Sequence, residues 1–244
     1  MEAQEIYSKQ WNVSAEHFKS NDSYKWMCEK ISNHKVILEI GCGTGQSTME
    51  LLRNGHKVIS IEKNRYCVDV AKTQIINAGY KIGCIENMDE DFDVLIVQHE
   101  LLELRNFFRE CSFDIVICWN IGTYWDKDMA TYYTKPLLHY GLTVEDVCKY
   151  PESSYAELIQ WFSCIIAKEN NVPIHIIDRS EDELLPHKDV YFSTLKNEIG
   201  FIDIEYDNLF THTISQNGKI VTVDNKPCLF DFVNINLVSI LMTP

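Results

Sequence analysis

Three closely spaced glycines are the strongest chemical signal in the sequence. Gly41, Gly43 and Gly45 alternate with other residues directly after an apolar run, in the stretch VILEIGCGTGQS. Such a cluster is typical of a tight turn or of a place where a ligand approaches the main chain, because glycine has no side chain to obstruct it. If the apolar run is a strand and a helix starts near Gln46, backbone N–H groups at the helix start can meet polar groups of a ligand.

Three acidic residues accompany this turn. Glu62 ends the next apolar segment, VISIE, about 20 residues after Gly41, where an acid accepts hydrogen bonds from ribose hydroxyls and excludes a 2′-phosphate. Glu100 stands just past the segment VLIVQ, where its carboxylate could accept a hydrogen bond from an adenine amino group. Glu39 lies inside the first apolar run, so its charge needs a partner, and a ligand ammonium would supply one.

The turn distinguishes between two nucleotide cofactors. A dinucleotide fingerprint, G-x-G-x-x-G, would have a small residue where this chain has Gln46, and a pyrophosphate beside Glu39 would be repelled. The pattern G-x-G-x-G with a preceding acid favours S-adenosylmethionine, whose α-amino group the acid would attract. Two alternatives remain open at this point. One is an NAD-dependent oxidoreductase, weakened further by the lack of a Tyr-x-x-x-Lys pair, and the other is a non-catalytic protein that binds S-adenosylmethionine.

The elements that must position these residues follow an α/β pattern. Short β-rich runs alternate with helical patterns, which predicts a doubly wound, mostly parallel sheet with helices on both faces. Strands are predicted over 36–40, 58–62, 94–98, 115–119, 173–177, 201–206 and 232–241, and helices over 46–53, 65–77, 155–169 and 190–199. Ser154 and Glu157 form a capping box that predicts the start of the third helix. No helix separates the last two strands, so we expect an antiparallel closing hairpin, with a smaller turn at Asn217 and Gly218.

These segments together resemble a known enzyme family. VILEIGCGTG, VISIE, VQHELLEL and FDIVICWN, in this order, resemble the successive motifs of the class I S-adenosylmethionine-dependent methyltransferases, and TLKNEIGFIDIEY is similar to that family's last helix and sixth strand. The resemblance covers most of residues 30–241. It implies a seven-stranded Rossmann-like sheet with an antiparallel last strand, S-adenosyl-L-methionine as the cofactor, and in-line methyl transfer to an acceptor.

The resemblance also implies roles for individual residues. Glu62 would bind the ribose, Glu100 and the Leu101 backbone would contact the adenine, and Trp119 and Asn120 would lie beside the reacting sulfonium. The full predicted cofactor-binding set is Glu39, Gly41, Cys42, Gly43, Gly45, Glu62, Lys63, Glu100, Leu101, Trp119 and Asn120.

Two other comparisons with the family concern the edges of the site. Tyr7 and Trp11 lie in an N-terminal segment that resembles the helix that often covers the cofactor. After the fourth strand, the amino-methylating members often carry [DNS]PP[YFW], whereas this chain has NIGT. Methylation of a nucleobase or amide nitrogen is therefore not supported.

The segment 124–153 is the predicted substrate side. It is far longer than the usual connection of about 2 to 6 residues, and its many aromatics argue against disorder, so we expect a cap or lid inserted after strand 4. Its aromatics could wall a pocket, could form a cage for a cationic acceptor, or could be the core of the cap itself. Asn120 and His139 are the predicted catalytic residues, with Asp126 as a further polar contact. The predicted substrate-binding residues are Tyr124, Trp125, Tyr132, Tyr133 and His139.

Composition sets the remaining expectations. The 244 residues predict a single domain spanning 1–244, and a formal net charge of -14 opposes binding to nucleic acid or acidic membranes, which leaves a small-molecule acceptor as the expected partner. No apolar run reaches the roughly 18 residues of a membrane span, and the N-terminal residues do not resemble a signal peptide, so a cytoplasmic location is expected. The nine cysteines form no CxxC pair and are expected to be reduced.

Overall fold

The computed structural model describes residues 3–85, 91–104, 106–121, 143–149, 151–214, 222–223, 226–227 and 232–244. In these ranges the helices are α1 (Ala3–Ser20), α2 (Ser23–Glu29), α3 (Gln46–Arg53), α4 (Arg65–Asn77), α5 (Phe107–Glu110), α6 (Val144–Lys149), α7 (Pro151–Glu169) and α8 (Tyr191–Ile199). The strands are β1 (Val36–Ile40), β2 (Lys57–Glu62), β3 (Val94–Gln98), β4 (Ile115–Trp119), β5 (Ile174–Ser180), β6 (Asp203–Thr213), β7 (Thr222–Val223), β8 (Lys226–Pro227) and β9 (Val233–Thr243).

One large sheet organises the molecule. Its strand order is β3-β2-β1-β4-β5-β9-β6, with β1 to β5 parallel and β9 antiparallel to both of its neighbours. The predicted α/β class, the seven strands and the antiparallel last strand are thereby confirmed. Three strands were predicted to end too early, because β5 continues to Ser180, β6 to Thr213 and β9 to Thr243. The extensions of β5 and β6 pair with β9, so backbone hydrogen bonds keep their residues in the sheet. These extensions contain polar residues, and a search for apolar runs does not identify such residues as part of a strand.

The side chains of β1 belong alternately to two hydrophobic cores, one on each face of the sheet. Leu38 and Ile40 pack on one face with Leu158 of α7, whereas Ile37 packs on the opposite face with Leu51 of α3. Successive side chains of a strand point to opposite faces, so a strand covered by helices on both sides must be apolar at nearly every position. Each such side chain contributes roughly 1.5 to 3 kcal/mol of transfer free energy.

The capping-box prediction was wrong. Helix α7 begins at Pro151, so Ser154 lies inside its first turn and not before it. Proline favours the first position of a helix because its fixed φ suits the helix and its missing N–H is not needed there. Helix α8 has the better side-chain cap, since the Asp189 carboxylate accepts hydrogen bonds from the backbone N–H groups of Phe192 and Ser193 at 2.9 and 2.7 Å.

Several expectations fall wholly or partly outside the described residues. The proposed turn at Asn217 and Gly218 lies outside them, and of the predicted cap over 124–153 only 143–149 and the start of α7 are described. The described part of the chain contains no helix with the length and apolarity needed to cross a bilayer. In that part, seven cysteines are free thiols, of which the first five are buried: Cys28, Cys42, Cys67, Cys118, Cys164, Cys84 and Cys111.

Candidate functional site

The glycine turn connects β1 to α3 in left-handed backbone conformations. Gly41, Gly43 and Gly45 have φ values of 77, 52 and 93°, which only glycine adopts without strain. Gly45 also permits close helix packing, because a Cβ there would lie 2.9 Å from the Cβ of Ala71 on α4. Gly43 has a different neighbour, since its Cβ would lie 2.0 Å from the indole nitrogen of Trp11 on α1. The turn is therefore shaped both by the fold and by what lies above Gly43.

Glu62, at the end of β2, ties this turn to the next loop. One carboxylate oxygen accepts a hydrogen bond from the Gly43 N–H at 2.9 Å, and the other accepts one from the Asn64 N–H at 2.8 Å. Burial raises the pKa of this carboxyl, while the two backbone hydrogen bonds lower it. A carboxylate has about four lone-pair sites, so both oxygens keep capacity for the hydroxyl groups of a ligand.

The carboxylate of Glu39 has its hydrogen-bond partners in α3, the helix that follows the turn. Its carboxylate accepts hydrogen bonds from the hydroxyl groups of Ser47 at 2.5 Å and Thr48 at 2.6 Å. The residue is only 2% exposed, and burial raises the pKa of its carboxyl against the effect of these hydrogen bonds. The predicted need for a partner is thus met inside the protein by two residues of α3.

A narrow depression follows the carboxyl ends of β1, β2 and β3. We call it the glycine cleft, and its open volume is about 60 Å³. Lys63 and Glu100 face each other across it with 4.0 Å between ammonium and carboxylate, and the Lys63 ammonium lies 3.8 Å from the ring centroid of Tyr155. Tyr7 and Trp11 of α1 cover it from above. Among the predicted residues, its walls include Gly41, Gly43, Glu62, Lys63, Glu100 and Leu101.

The other predicted cofactor residues do not border the cleft. Glu39 is buried within β1, and Cys42 and Gly45 belong to the turn without lining the cleft; burial raises the pKa of the Cys42 thiol well above its usual value. Trp119 is buried in the core beside the sheet, where its indole N–H donates a hydrogen bond to Nδ1 of the buried His175 at 2.9 Å. These positions support the site from behind and do not form its surface.

A second, much larger space adjoins the cleft. This large cavity has a volume of about 770 Å³ and lies where β4 and β5 end, between α1, α7 and α8. Tyr7, Trp11 and Ile121 line both spaces, so the two share a wall. Asn120, with φ 51°, reaches the large cavity directly after β4. Its predicted neighbours Tyr124, Trp125, Asp126, Tyr132, Tyr133, His139 and Tyr140 lie outside the described residues.

Polar side chains in the large cavity were missed by the sequence reasoning. The Arg179 Nε–H donates to Asn120 Oδ1 at 2.6 Å, and Gln160 links Asp178 and Tyr191 through hydrogen bonds of 3.1 and 2.8 Å. Arg179 follows the predicted end of the fifth strand by two residues, and a charge at the carboxyl end of a parallel strand is the signal that could have identified it. In the described part of the chain, no group of three or more His, Cys, Asp or Glu side chains could hold a metal ion.

Known proteins with similar sequences or folds include methyltransferases. A family model described as "Methyltransferase domain" matches residues 37–135. The protein named "Probable ribosomal RNA small subunit methyltransferase A" of Methanosphaera stadtmanae is 41% identical over 61 residues, which are 25% of this chain and 22% of the relative. The chain thus matches less than a quarter of the length of that relative.

Solved structures agree at the level of the fold. A protein of Pyrococcus horikoshii described as an RNA methyltransferase has a TM-score of 0.54 at 14% identity, covering 92% of this chain and 81% of its own. A structure concerned with the conversion of a disulfide bond into a thioacetal group during echinomycin biosynthesis has a TM-score of 0.52 at 13% identity, covering 91% and 80%. At such low identities the likeness establishes the shared architecture.

Proposed function

We propose that the chain is a class I, Rossmann-like S-adenosylmethionine-dependent methyltransferase that transfers the methyl group of this cofactor to a small-molecule acceptor. The observation that carries the proposal is the large cavity. Its volume of about 770 Å³ falls in the range of small-molecule sites, roughly 300 to 1,000 Å³, and it shares a wall with the glycine cleft. A cofactor in the cleft and an acceptor in the cavity would therefore be neighbours.

The residues of the cleft fit S-adenosylmethionine. Glu62 offers carboxylate oxygens to ribose hydroxyls, and Gly43 leaves its backbone open where any side chain would intrude. The open volume of about 60 Å³ is smaller than a nucleoside because Trp11 lies against Gly43. We therefore propose that the indole of Trp11 moves aside when the cofactor binds. Glu39, Cys42 and Gly45 then act by holding the turn in shape.

The protein's part in the reaction would be mainly alignment. When bound, S-adenosylmethionine supplies an electrophilic methyl group on a sulfonium. The cavity walls hold the acceptor in line with that methyl group and exclude water, which can account for most of the rate enhancement. Asn120 directs its side chain to the cavity beside the cleft and would orient the acceptor. His139 remains a proposed catalytic residue outside the described part of the chain.

Glu157 is a further candidate for accepting the acceptor's proton. It lines the large cavity, and the pKa of its carboxyl is raised, first by burial and then by the negative charge of Asp178. A carboxyl with a raised pKa is a stronger base near neutral pH than an ordinary glutamate. A hydroxyl acceptor would need such a base, whereas an amine can react as the free base.

RNA is the competing acceptor, since the curated relative is named as a ribosomal RNA methyltransferase. Two observations favour a small molecule for this chain. Its net charge of -14 repels a polyanion, and the match to that relative covers only 25% of the chain. We also propose that the chain forms one domain, with 124–153 as a cap over the acceptor.

The test combines binding with transfer of a labelled methyl group. Isothermal titration should show binding of S-adenosylmethionine and none of NAD. Labelled S-adenosylmethionine should then transfer its methyl group to the low-molecular-mass fraction of a cell extract. Label found in the RNA fraction alone would refute the small-molecule acceptor, and binding without transfer to either fraction would indicate a non-catalytic protein.

A further inference from the structure

Arg179 brings a positive charge to the large cavity. It lies near the end of β5, and its guanidinium carbon is 5.0 Å from the ring centroid of Phe18 and 6.0 Å from that of Trp11. One of its nitrogens, Nε, donates to Asn120 Oδ1. Among the described residues no carboxylate approaches the guanidinium within ion-pair distance, so the terminal nitrogens of this cation retain their donors.

The exposed side chain of Arg179 lines the large cavity. The residue has an exposed side chain, yet it packs against the fully buried Phe18 and the buried Asn120. The surrounding protein lowers the pKa of the guanidinium through burial, although arginine stays protonated in proteins. A cation held in such a place without a carboxylate partner needs an anion to compensate its partial desolvation.

Asn120 adds a second donor beside the cation. Arginine has no acceptor atoms, so the amide atom that faces Arg179 Nε must be the oxygen of Asn120, which fixes the orientation of the amide. The Asn120 Nδ2 group is then a buried donor, and it has no hydrogen-bond partner among the described residues. Two neighbouring groups at this end of the cavity thus have hydrogen-bond donors for which the described residues supply no acceptor.

We propose that the methyl acceptor carries a carboxylate, which the two terminal nitrogens of Arg179 bind. This inference rests on the proposed function, because it identifies the acceptor class for the same cavity. A bidentate pair between guanidinium and carboxylate is short, strong and directional, and it leaves the Nε bond to Asn120 intact.

The acidic residues of the cavity favour a carboxylate over a phosphate. Asp178 accepts hydrogen bonds from Gln160 and from the Arg179 backbone, and Asp189 caps α8, so both are held in the walls. Among the described residues that line the cavity, these two and Glu157 outnumber the cations Arg179 and Lys188. A doubly charged phosphate would be repelled by this surplus, whereas a single carboxylate can be neutralised by one guanidinium.

The test uses matched pairs of carboxylic acids and their carboxamides. Pairs such as 4-hydroxybenzoate and 4-hydroxybenzamide, indole-3-acetate and indole-3-acetamide, and β-alanine and its amide are titrated against the protein saturated with S-adenosylhomocysteine. At least one acid should bind about 10- to 100-fold more tightly than its carboxamide, since hydrogen bonds to a charged group are lost in the amide. Equal binding of every acid and its amide, or binding of none of the acids, would refute the inference.

Variants assign the preference to one residue. In protein saturated with S-adenosylhomocysteine, Arg179→Met should remove the preference for the acid. Arg179→Lys should restore part of this preference, because lysine keeps the charge without the planar fork. Arg109→Met, at an exposed arginine on α5, removes the same charge elsewhere and should behave like wild type. A preference that survives in Arg179→Met would overturn the assignment.

Failure of the broader proposal would look different. Acids that bind through Arg179 but accept no methyl group, in a protein that does not bind S-adenosylmethionine, would refute the methyltransferase proposal and leave the carboxylate site standing. Transfer of the methyl group to neutral or cationic acceptors alone would refute the carboxylate inference and leave the methyltransferase proposal standing.

Discussion

Acidification should destabilise the fold through His175, which lies on β5 next to the central strand β4. The Trp119 N–H donates to its Nδ1 at 2.9 Å, so Nδ1 must be unprotonated, and its Nε2 lies 2.8 Å from the Ser239 hydroxyl. The residue is fully buried, and this burial lowers the pKa of its imidazole to about 3, with smaller contributions from Lys30 and His34. A second proton on this ring would displace the hydrogen bond from the indole.

The size of the effect follows from the two pKa values. In the unfolded chain the imidazole has a pKa of about 6.5. Between pH 6.5 and 3 the imidazole is therefore protonated in the unfolded state and neutral in the folded state. The stability associated with neutral His175 is therefore present above pH 6.5 and is lost as the pH falls. The slope is about 1.4 kcal/mol per pH unit, which amounts to roughly 2 kcal/mol between pH 7 and pH 5.

Urea denaturation of wild type and His175→Gln at several values of pH between 7 and 5 measures this contribution. Glutamine keeps one hydrogen-bonding group in place and does not titrate, so the gap in unfolding free energy between the two proteins should shrink by about 2 kcal/mol over this range. Buried carboxyls such as Glu39 and Glu62 titrate in both proteins and cancel in the difference. His187→Gln, at an exposed position, controls for the loss of one histidine. Parallel curves for wild type and His175→Gln would refute the reasoning.

Three other variants test the cleft. Glu62→Ala should weaken S-adenosylmethionine binding by about 10- to 100-fold in isothermal titration, and a wild-type affinity would remove its ribose role. Gly45→Val should lower the unfolding free energy by about 2 to 4 kcal/mol in urea, because its Cβ would lie 2.9 Å from that of Ala71 at a φ of 93°. Trp11→Phe should abolish the change in tryptophan fluorescence that S-adenosylhomocysteine produces in wild type; an unaltered change would show that Trp11 stays against Gly43.

The inner strands are the part of the fold that the sequence predicts best. The predicted bounds of β1, β3 and β4 agree with the structure to the residue. Each is a short apolar run that ends at a glycine or a polar residue, because both of its faces are covered by helices and only its ends reach solvent. The glycine cleft can be located in the same way, since the predicted acid Glu62 ends the neighbouring apolar run, β2.

The role of Arg179 and the partners of Glu39 could not be predicted from the sequence. The role of Arg179 depends on β5 extending past residue 177 and on α1, α7 and α8 closing around it, which are contacts between segments far apart in the chain. The partners of Glu39 come from the helix only 8 and 9 residues later, yet their orientation depends on how tightly the glycine turn bends. Local pattern predicts a strand or a helix, whereas the partner of a buried charge is set by tertiary packing.

The placement of charge along the sheet is consistent with both proposed ligands. Glu62 ends β2 at the cleft, where the cofactor would bind, whereas Arg179 lies near the end of β5 and Asn120 follows β4 at the large cavity. Ile121, between them, borders both spaces. A carboxylate held by Arg179 would be drawn toward the sulfonium but could not enter the acidic cleft without repulsion from Glu62. Repulsion from Glu62 and attraction to the Arg179 guanidinium would thus keep the carboxylate on its own side of the transferred methyl group.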